Sequence, residues 1–165
     1  MTEQQTIDPQ RLRQVLGHYP TGVTVVTAVD EDGEPTGMVL GSFTSVSLDP
    51  PLVAYLPQKS SSSYARLRAS RSFCVNVLSA DQEELCRSFA SRHTRHTVEA
   101  DTRPGITGVP VLSDALAYLE CRIDREVDGG DHVIVIGEVI DLAVQREEGP
   151  LTFFRNTFHR LPAAS

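Results

Sequence analysis

The 165-residue chain is long enough for one domain with a single core, and its 40% hydrophobic and 22% charged residues argue against a disordered or fibrous protein. Its net charge of −7, with only 15 dispersed Lys and Arg residues, argues against a nucleic-acid partner. The sequence predicts no signal peptide, because its first ten residues are polar. It predicts no membrane span either, because even the most apolar run, 132–144, contains two acidic residues. The cysteines lack a paired spacing and predict reduced packing residues in a cytoplasmic protein: Cys74, Cys86 and Cys121.

The N-terminal region predicts an amphipathic helix followed by strands. Asp8 is a typical N-cap and Pro9 fits the first helical turn, and apolar residues then recur at helical spacing up to Tyr19, so the helix falls within residues 1–20. β-branched and alternating apolar runs next predict short strands at 22–29, 36–40, 43–48 and 52–56. A turn signal separates the first two, which are expected to pair as a hairpin.

The middle of the chain predicts two short helices around one strand. Four serines at 60–63 offer N-caps for a helix near 64–69, and 73–78 reads as a strand. Residues 79–82 have the spacing of a capping box and are expected to open a helix that runs through Phe89.

The last third predicts a loop and then a long hairpin. Residues 92–108 are polar without a sustained period, which predicts a long loop of the kind that often forms a lid. Two long strands, 116–127 and 132–144, flank a Gly-rich turn at 128–131. A final strand is predicted at 151–154, before a short tail.

These elements predict a mainly β fold with a single domain over residues 1–165. Seven or eight strands follow one another through turns too short for helical crossovers, which disfavours a parallel sheet. A mostly antiparallel sheet closed into a barrel, with short helices at its ends, suits this pattern because closure removes exposed edges.

The standard chemical motifs are missing from the sequence, and two weaker features remain. There is no GxGxxG, P-loop, GxSxG or HExxH, and the His and Cys spacing predicts no metal site. Lys59 and the serines of 60–63 precede a helix and could hold a phosphate, although a solvated loop with a serine N-cap is the more frequent reading. His132 follows two glycines and could meet a nicotinamide or flavin edge, although a structural histidine is again more frequent. His93 and His96 are read as solvated loop residues.

Several stretches stand in a specific order along the chain: 19–26, 42–51, 73–78 with Gln82 and 89–90, and 130–132. Together they resemble the flavin reductase-like domain family over most of the chain. The pattern Pro-x-Lys-x-Ser-x-x-Ser at 57–63 is similar to that of the reductase components of two-component aromatic and steroid-phenol monooxygenases. The resemblance implies a homodimeric, antiparallel Greek-key split β-barrel that binds FMN, or less often FAD, and reduces it with NADH or NADPH for a partner oxygenase.

The resemblance also implies roles for particular residues. Those expected around the flavin ring are Gly37, Met38, Val39, Gly41 and Ser42, with Phe89 also assigned to the cofactor site. Those expected around the phosphate are Pro57, Lys59, Ser60 and Ser63. His132, preceded by Asp131, is expected where the nicotinamide arrives. Many relatives carry Asn, Ser or Gln at the position of Gly41, so this chain is expected to hold flavin more loosely.

Two other functions fit the same fold. One is an oxidase or oxygenase that keeps FMN as a prosthetic group for a small organic substrate. The other is a non-enzymatic carrier of flavin or haem. No residue that would read the nucleotide ribose can be placed, so the sequence does not choose between NADH and NADPH.

Overall fold

The computed structural model describes residues 6–91 and 100–163, which form a mainly β fold. Three helices lie in this part of the chain: α1 (Pro9–Leu16), α2 (Ser62–Leu67) and α3 (Glu83–Ala90). Its strands are β1 (Thr21–Gly22), β2 (Thr24–Val29), β3 (Pro35–Leu40), β4 (Phe43–Leu48), β5 (Pro51–Tyr55), β6 (Ser72–Val77), β7 (Thr102–Pro104), β8 (Pro110–Leu112), β9 (Ala117–Gly129), β10 (His132–Val144), β11 (Leu151–Phe154) and β12 (Thr157–Arg160). Among the described residues no helix is long and apolar enough to cross a membrane.

The main sheet has seven strands in the order β3-β2-β6-β9-β10-β5-β4, each paired antiparallel with its neighbour. Its two edge strands, β3 and β4, are joined by only Gly41 and Ser42. Because a two-residue link holds opposite edges together, the sheet has to curl round on itself. The arrangement confirms the predicted antiparallel, mainly β split-barrel class.

A long hairpin of β9 and β10, thirteen residues each, forms the centre of this sheet. Its turn lies between Gly129 and His132, where the sequence predicts it. Two smaller sheets flank the main one, with the orders β1-β11-β12 and β7-β8.

Strand β2 is buried on both faces, because side chains alternate across a strand. Val26 and Ala28 contribute to one apolar cluster, and Val25 contributes to a second. Helix α3 covers the second cluster through Cys86 and Phe89. Helix α1, by contrast, buries no side chain of its own.

The buried cysteines behave as packing residues. All three are free and buried, as predicted. Burial raises the pKa of the Cys86 thiol to about 11 and that of Cys121 to about 12. Thiols with such values stay protonated at neutral pH and react slowly.

The predicted strand 22–29 is wrong in one respect, since it is two strands. The chain leaves the main sheet at Val23, whose N–H donates to the Leu151 carbonyl at 3.2 Å and whose carbonyl accepts from Leu78 N–H at 3.0 Å. Strand β1 therefore pairs with β11, and β2 pairs within the main sheet. The partners lie far along the chain, and local periodicity does not report them.

The predicted capping box is displaced from the helix it was expected to open. The Ser79 N–H does donate to Gln82 Oε1 at 3.0 Å, as in a capping box. However, α3 begins at Glu83, so this bond closes a turn ahead of the helix. The predicted helix 64–69 begins two residues earlier, at Ser62, because Ser61 is its N-cap.

Two segments predicted to be irregular contain strands. Part of the loop predicted at 92–108 is the strand β7, which pairs with β8, and the Glu120 carboxylate accepts the N–H groups of Ile106 and Thr107 at 2.8 and 2.5 Å. The tail after 154 folds back as β12, through Arg155 and Asn156 at positive φ. Residues 92–99 of the predicted lid, with His93 and His96, lie outside the described residues.

Candidate functional site

A cleft opens beside strand β3, between the loop 57–61, the end of α3 and the turn of the β9–β10 hairpin. Its first part has a volume of about 680 Å³ and is lined by Met38, Val39, Gln58, Ser60, Ser61, Ser62, Ser63, Phe89, Ala90 and Ser91. An adjoining part of about 550 Å³ is lined by Met38, Leu40, Gly41, Ser42, Leu56, Gln58, Ser61, Gly129 and His132. Three residues belong to both parts, so the two form one continuous cleft. Its size suits a ligand as large as a nucleotide.

The apolar wall of the cleft depends on a glycine beneath it. A Cβ atom on Gly37 would lie 2.8 Å from Cε1 of Phe89 and 3.3 Å from the Val26 carbonyl oxygen. Only glycine lets the Phe89 ring lie this close to β3. Gly37 therefore supports the wall by its lack of a side chain, while Phe89, Met38 and Val39 form its surface.

The link between β3 and β4 forms the far end of the cleft. A Cβ atom on Gly41 would lie 2.7 Å from Thr21 Oγ1, so β1 packs directly against this link. The Ser42 hydroxyl donates to the Leu56 carbonyl at 2.9 Å, and Leu56 N–H donates to the Ser42 carbonyl at 3.1 Å. These bonds fix the backbone at this end of the cleft.

The loop after β5 is bonded to the hairpin turn like an additional short strand. Gln58 and His132 form an antiparallel bridge, Lys59 N–H donates to the Asp131 carbonyl at 2.9 Å, and Val133 N–H donates to the Pro57 carbonyl at 3.0 Å. Bridged residues point to the same side and their neighbours to the other. Gln58 and His132 accordingly line the cleft.

Lys59 and Val133 lie on the opposite side, in a separate cavity of about 350 Å³. The Lys59 ammonium is 2.6 Å from Asp128 Oδ2. This ammonium, together with the N–H of Gly130, holds the pKa of Asp128 below its ordinary value. The cation predicted for a phosphate thus has a carboxylate partner outside the cleft.

His132 is held by its neighbour in the chain. Its Nδ1 lies 2.7 Å from Asp131 Oδ1, and this contact with the imidazole lowers the pKa of Asp131. A carboxylate at Nδ1 favours the tautomer with hydrogen on that atom, which leaves Nε2 as an acceptor in the neutral ring. The pair therefore sets both the orientation and the hydrogen-bonding role of the ring.

The structure brings most of the predicted site residues together. Eight line the cleft: Met38, Val39, Gly41, Ser42, Ser60, Ser63, Phe89 and His132. The others support it from outside the lining: Gly37 under the wall, Pro57 through its carbonyl, Lys59 in the neighbouring cavity and Asp131 behind His132.

Sequence reasoning missed Gln58, which lines both parts of the cleft. The sequence carried a signal for Gln58. Side chains alternate in an extended segment, so Gln58 is expected on the same side as Ser60, two residues later. Within the described residues, no three His, Cys, Asp or Glu side chains cluster where they could hold a metal ion.

Comparison with known proteins gives consistent matches over nearly the whole chain. Residues 16–162 match the family model of the flavin reductase like domain. The chain is 46% identical over 152 residues to a flavin reductase of Pseudomonas putida, covering 92% of this chain and 89% of that protein. It is 42% identical to HsaB, the reductase subunit of a flavin-dependent monooxygenase from Rhodococcus jostii, covering 93% and 78%. An NADH:FAD oxidoreductase from Streptomyces globisporus, solved in complex with NAD and FAD fragments, superposes with a TM-score of 0.85 at 41% identity, covering 95% of this chain and 96% of that one.

Proposed function

The chain belongs to the flavin reductase-like domain family, and from this premise we propose that it reduces free flavin with a nicotinamide nucleotide and supplies the product to a separate oxygenase component. One structural feature supports the proposal above all. A single cleft contains an apolar wall for a ring system, a serine-rich loop and a histidine fixed by a carboxylate. The enzyme is accordingly an NAD(P)H:flavin oxidoreductase, as are the relatives it matches.

The cleft has suitable chemistry for FMN, or for the FMN half of FAD. Met38, Val39 and Phe89 offer an apolar surface for the isoalloxazine ring, and the fixed backbone at Gly41 and Ser42 lies at the far end. Ser60 and Ser63 line the same cleft where a phosphate would follow, and Lys59 is on the same loop with its side chain in the neighbouring cavity. We propose the same roles for the site residues assigned from the sequence, with Gly37 and Pro57 acting through the backbone.

The protein's part in the reaction is to position two rings. Hydride passes directly from the nicotinamide to the flavin, so the nucleotides supply the reactivity. Holding both in one cleft turns a bimolecular encounter into an oriented one, which can lower the barrier by several kcal/mol, on the order of 7 at best. His132, which lines the cleft and is held by Asp131, is proposed to orient the nicotinamide.

Flavin is proposed to be a substrate that exchanges rather than a permanently bound group. Gly41 and several lining residues of the loop, including Gln58 and Ser60, are exposed, so the cleft is open to solvent. An open site lets the product leave for a second protein. The similarity to a reductase subunit of a two-component monooxygenase supports that destination.

The nicotinamide donor is proposed from a similar protein, and the cellular location from the cysteines. The similar Streptomyces oxidoreductase is described as NADH-dependent, which supports NADH as the donor. Three free, buried cysteines support a reducing, cytoplasmic environment.

A second copy of the chain is proposed to cover exposed apolar side chains on α1 and β4. Leu48 on β4 is 91% exposed, and Leu12, Val15 and Leu16 on α1 are between 47% and 62% exposed. Large apolar side chains left this exposed are typical of an interface with another chain. A homodimer through α1 and β4 would bury them.

The proposal is tested by anaerobic rapid mixing of the protein and FMN with NADH, and then with NADPH, while flavin absorbance is followed. A flavin reductase bleaches FMN at a rate that scales with added free FMN, and the nucleotide that bleaches FMN faster is the preferred donor. Bleaching of only one flavin per chain, independent of added FMN, would indicate a prosthetic group instead. Binding without faster bleaching than in the protein-free mixture would indicate a carrier.

A further inference from the structure

Asp128 contacts Lys59, the cation proposed for the flavin phosphate. The Lys59 ammonium lies in the cavity behind the loop, 2.6 Å from Asp128 Oδ2, whereas its neighbours Gln58 and Ser60 line the cleft. We propose that Asp128 competes with the flavin phosphate for Lys59 and thereby weakens flavin binding and promotes its release. This inference rests on the proposed function, and it gives a role to a residue outside the cleft.

The carboxylate is fixed independently of the lysine. Asp128 Oδ1 accepts the N–H of Gly130 at 3.1 Å, which closes the turn of the β9–β10 hairpin. Oδ2 is the atom that meets Lys59. Because the turn retains the carboxylate whether or not the ammonium is present, the competitor stays in place while flavin comes and goes.

The lysine side chain is the part that can move. Its backbone is fixed, since Lys59 N–H donates to the Asp131 carbonyl at 2.9 Å. A lysine ammonium is a point charge on a flexible four-carbon stem, with no fork geometry to satisfy. The ammonium can therefore exchange one anionic partner for another without a change in the loop.

Other charges in the cavity are already paired. Glu126 accepts a hydrogen bond from the Tyr64 hydroxyl at 2.9 Å and forms an ion pair with Arg68 at 3.2 Å. Among the carboxylates that line this cavity, Asp128 is the one in contact with Lys59. Competition for the ammonium is thus assigned to a single side chain.

The Lys59–Asp128 ion pair is weak enough for the lysine ammonium to exchange anionic partners. The Lys59 and Asp128 side chains are 42% and 78% exposed. An ion pair this accessible to water shifts an equilibrium by no more than about five-fold. Such a partner tunes phosphate affinity without preventing binding.

The test is Asp128→Asn, which retains Oδ1 as an acceptor for Gly130 N–H but removes the charge. Dissociation constants are measured for FMN and for riboflavin, which has the same ring and no phosphate. We expect the variant to bind FMN about two- to five-fold more tightly, with a correspondingly slower release rate and unchanged riboflavin affinity. In a Lys59→Met background the same substitution should leave FMN affinity unchanged. Asp124→Asn, which removes a carboxylate paired with Arg125, is the matched charge control and should leave both affinities unchanged.

Three results would overturn the inference: no tightening of FMN binding, an equal change for riboflavin, or the same tightening in the Lys59→Met background. If wild-type protein reduces FMN normally while one of these results is obtained, the inference alone fails. If wild-type protein binds neither FMN nor riboflavin, the proposed function fails and the inference fails with it.

Discussion

Replacing Gly37 by alanine should push the Phe89 ring out of position. The added methyl carbon would lie 2.8 Å from Cε1 of Phe89, roughly 0.7 Å inside the closest comfortable carbon–carbon distance of about 3.5 Å. The backbone of β3 is held by its pairing with β2, so the ring has to give way. Overpacking of this kind costs about 1–3 kcal/mol of unfolding free energy. Because Phe89 also lines the cleft, we expect the dissociation constant for FMN to rise by about three- to ten-fold, the equivalent of roughly 0.7–1.4 kcal/mol.

Both quantities can be measured on the same samples. Urea unfolding gives the change in stability, and quenching of FMN fluorescence gives the affinity. Gly22→Ala is the matched control, because a Cβ there meets nothing within 4 Å, and it should stay within about 0.5 kcal/mol of the parent. A second substitution, Phe89→Leu, removes the clashing Cε1 atom, so Gly37→Ala should cost much less stability in that background.

The reasoning is refuted if Gly37→Ala is as stable as Gly22→Ala and binds FMN like the parent. It is also refuted if Phe89→Leu leaves the cost of the added methyl group unchanged. In either case the close approach of Phe89 to β3 would not be what requires glycine.

Three further predictions concern the cleft, the interface and pH. His132→Ala should lower the rate of NADH oxidation at saturating FMN by about ten-fold or more and change FMN affinity by less than about two-fold. Steady-state kinetics and FMN titration measure these two quantities. A loss confined to FMN affinity would contradict a role at the nicotinamide. Leu48→Glu should convert a dimer into a monomer in light scattering, because the charge would be buried at the proposed interface; a monomeric parent would contradict the interface. Hydrogen bonds from Arg146 and Ser79 hold the pKa of Asp81 below its ordinary value of 3.8. The charged carboxylate therefore stabilises the fold above that pH, and this stabilisation is lost as the pH falls through the lowered pKa. The difference in urea midpoint between the parent and Asp81→Asn should therefore be present at neutral pH and shrink in acid, and a difference that grows in acid would contradict this.

The strands were predictable wherever their sequence carries its own pattern. The long hairpin of β9 and β10 is marked by two apolar runs around a Gly-rich turn, and its observed turn falls where the sequence indicates. The break at Val23 was not predictable, because its partners, Leu151 and Leu78, are distant in sequence. The β11–β12 turn carried one local signal, Asn156, whose residue type tolerates positive φ.

The candidate site was predictable in residue type more than in orientation. The serine-rich loop and His132 were candidates from their residue types, the resemblance assigned their roles, and the structure brings them to one cleft. The direction of Lys59 depends on the register between the loop and the hairpin, which the Gln58–His132 bridge sets. The need for glycine at position 37 was likewise not predictable from the sequence, because it arises from the close approach of the Phe89 ring on α3.

The pairing of β5 with β10, which is far along the chain, affects the order in which the main sheet can form. Strand β5 pairs with β10, with Ala54 opposite Ile136, so β4 and β5 find their place only after the C-terminal hairpin has been synthesised. Such non-local pairing slows folding, because the entropy of loop closure is lost before the contacts form. During synthesis β5 can pair with β4, but its other edge leaves the ribosome long before its partner β10, and unpaired strand edges of this kind are prone to aggregate. A chain truncated before β10 should therefore collect in the insoluble fraction, whereas the β9–β10 hairpin is the part best placed to nucleate the sheet.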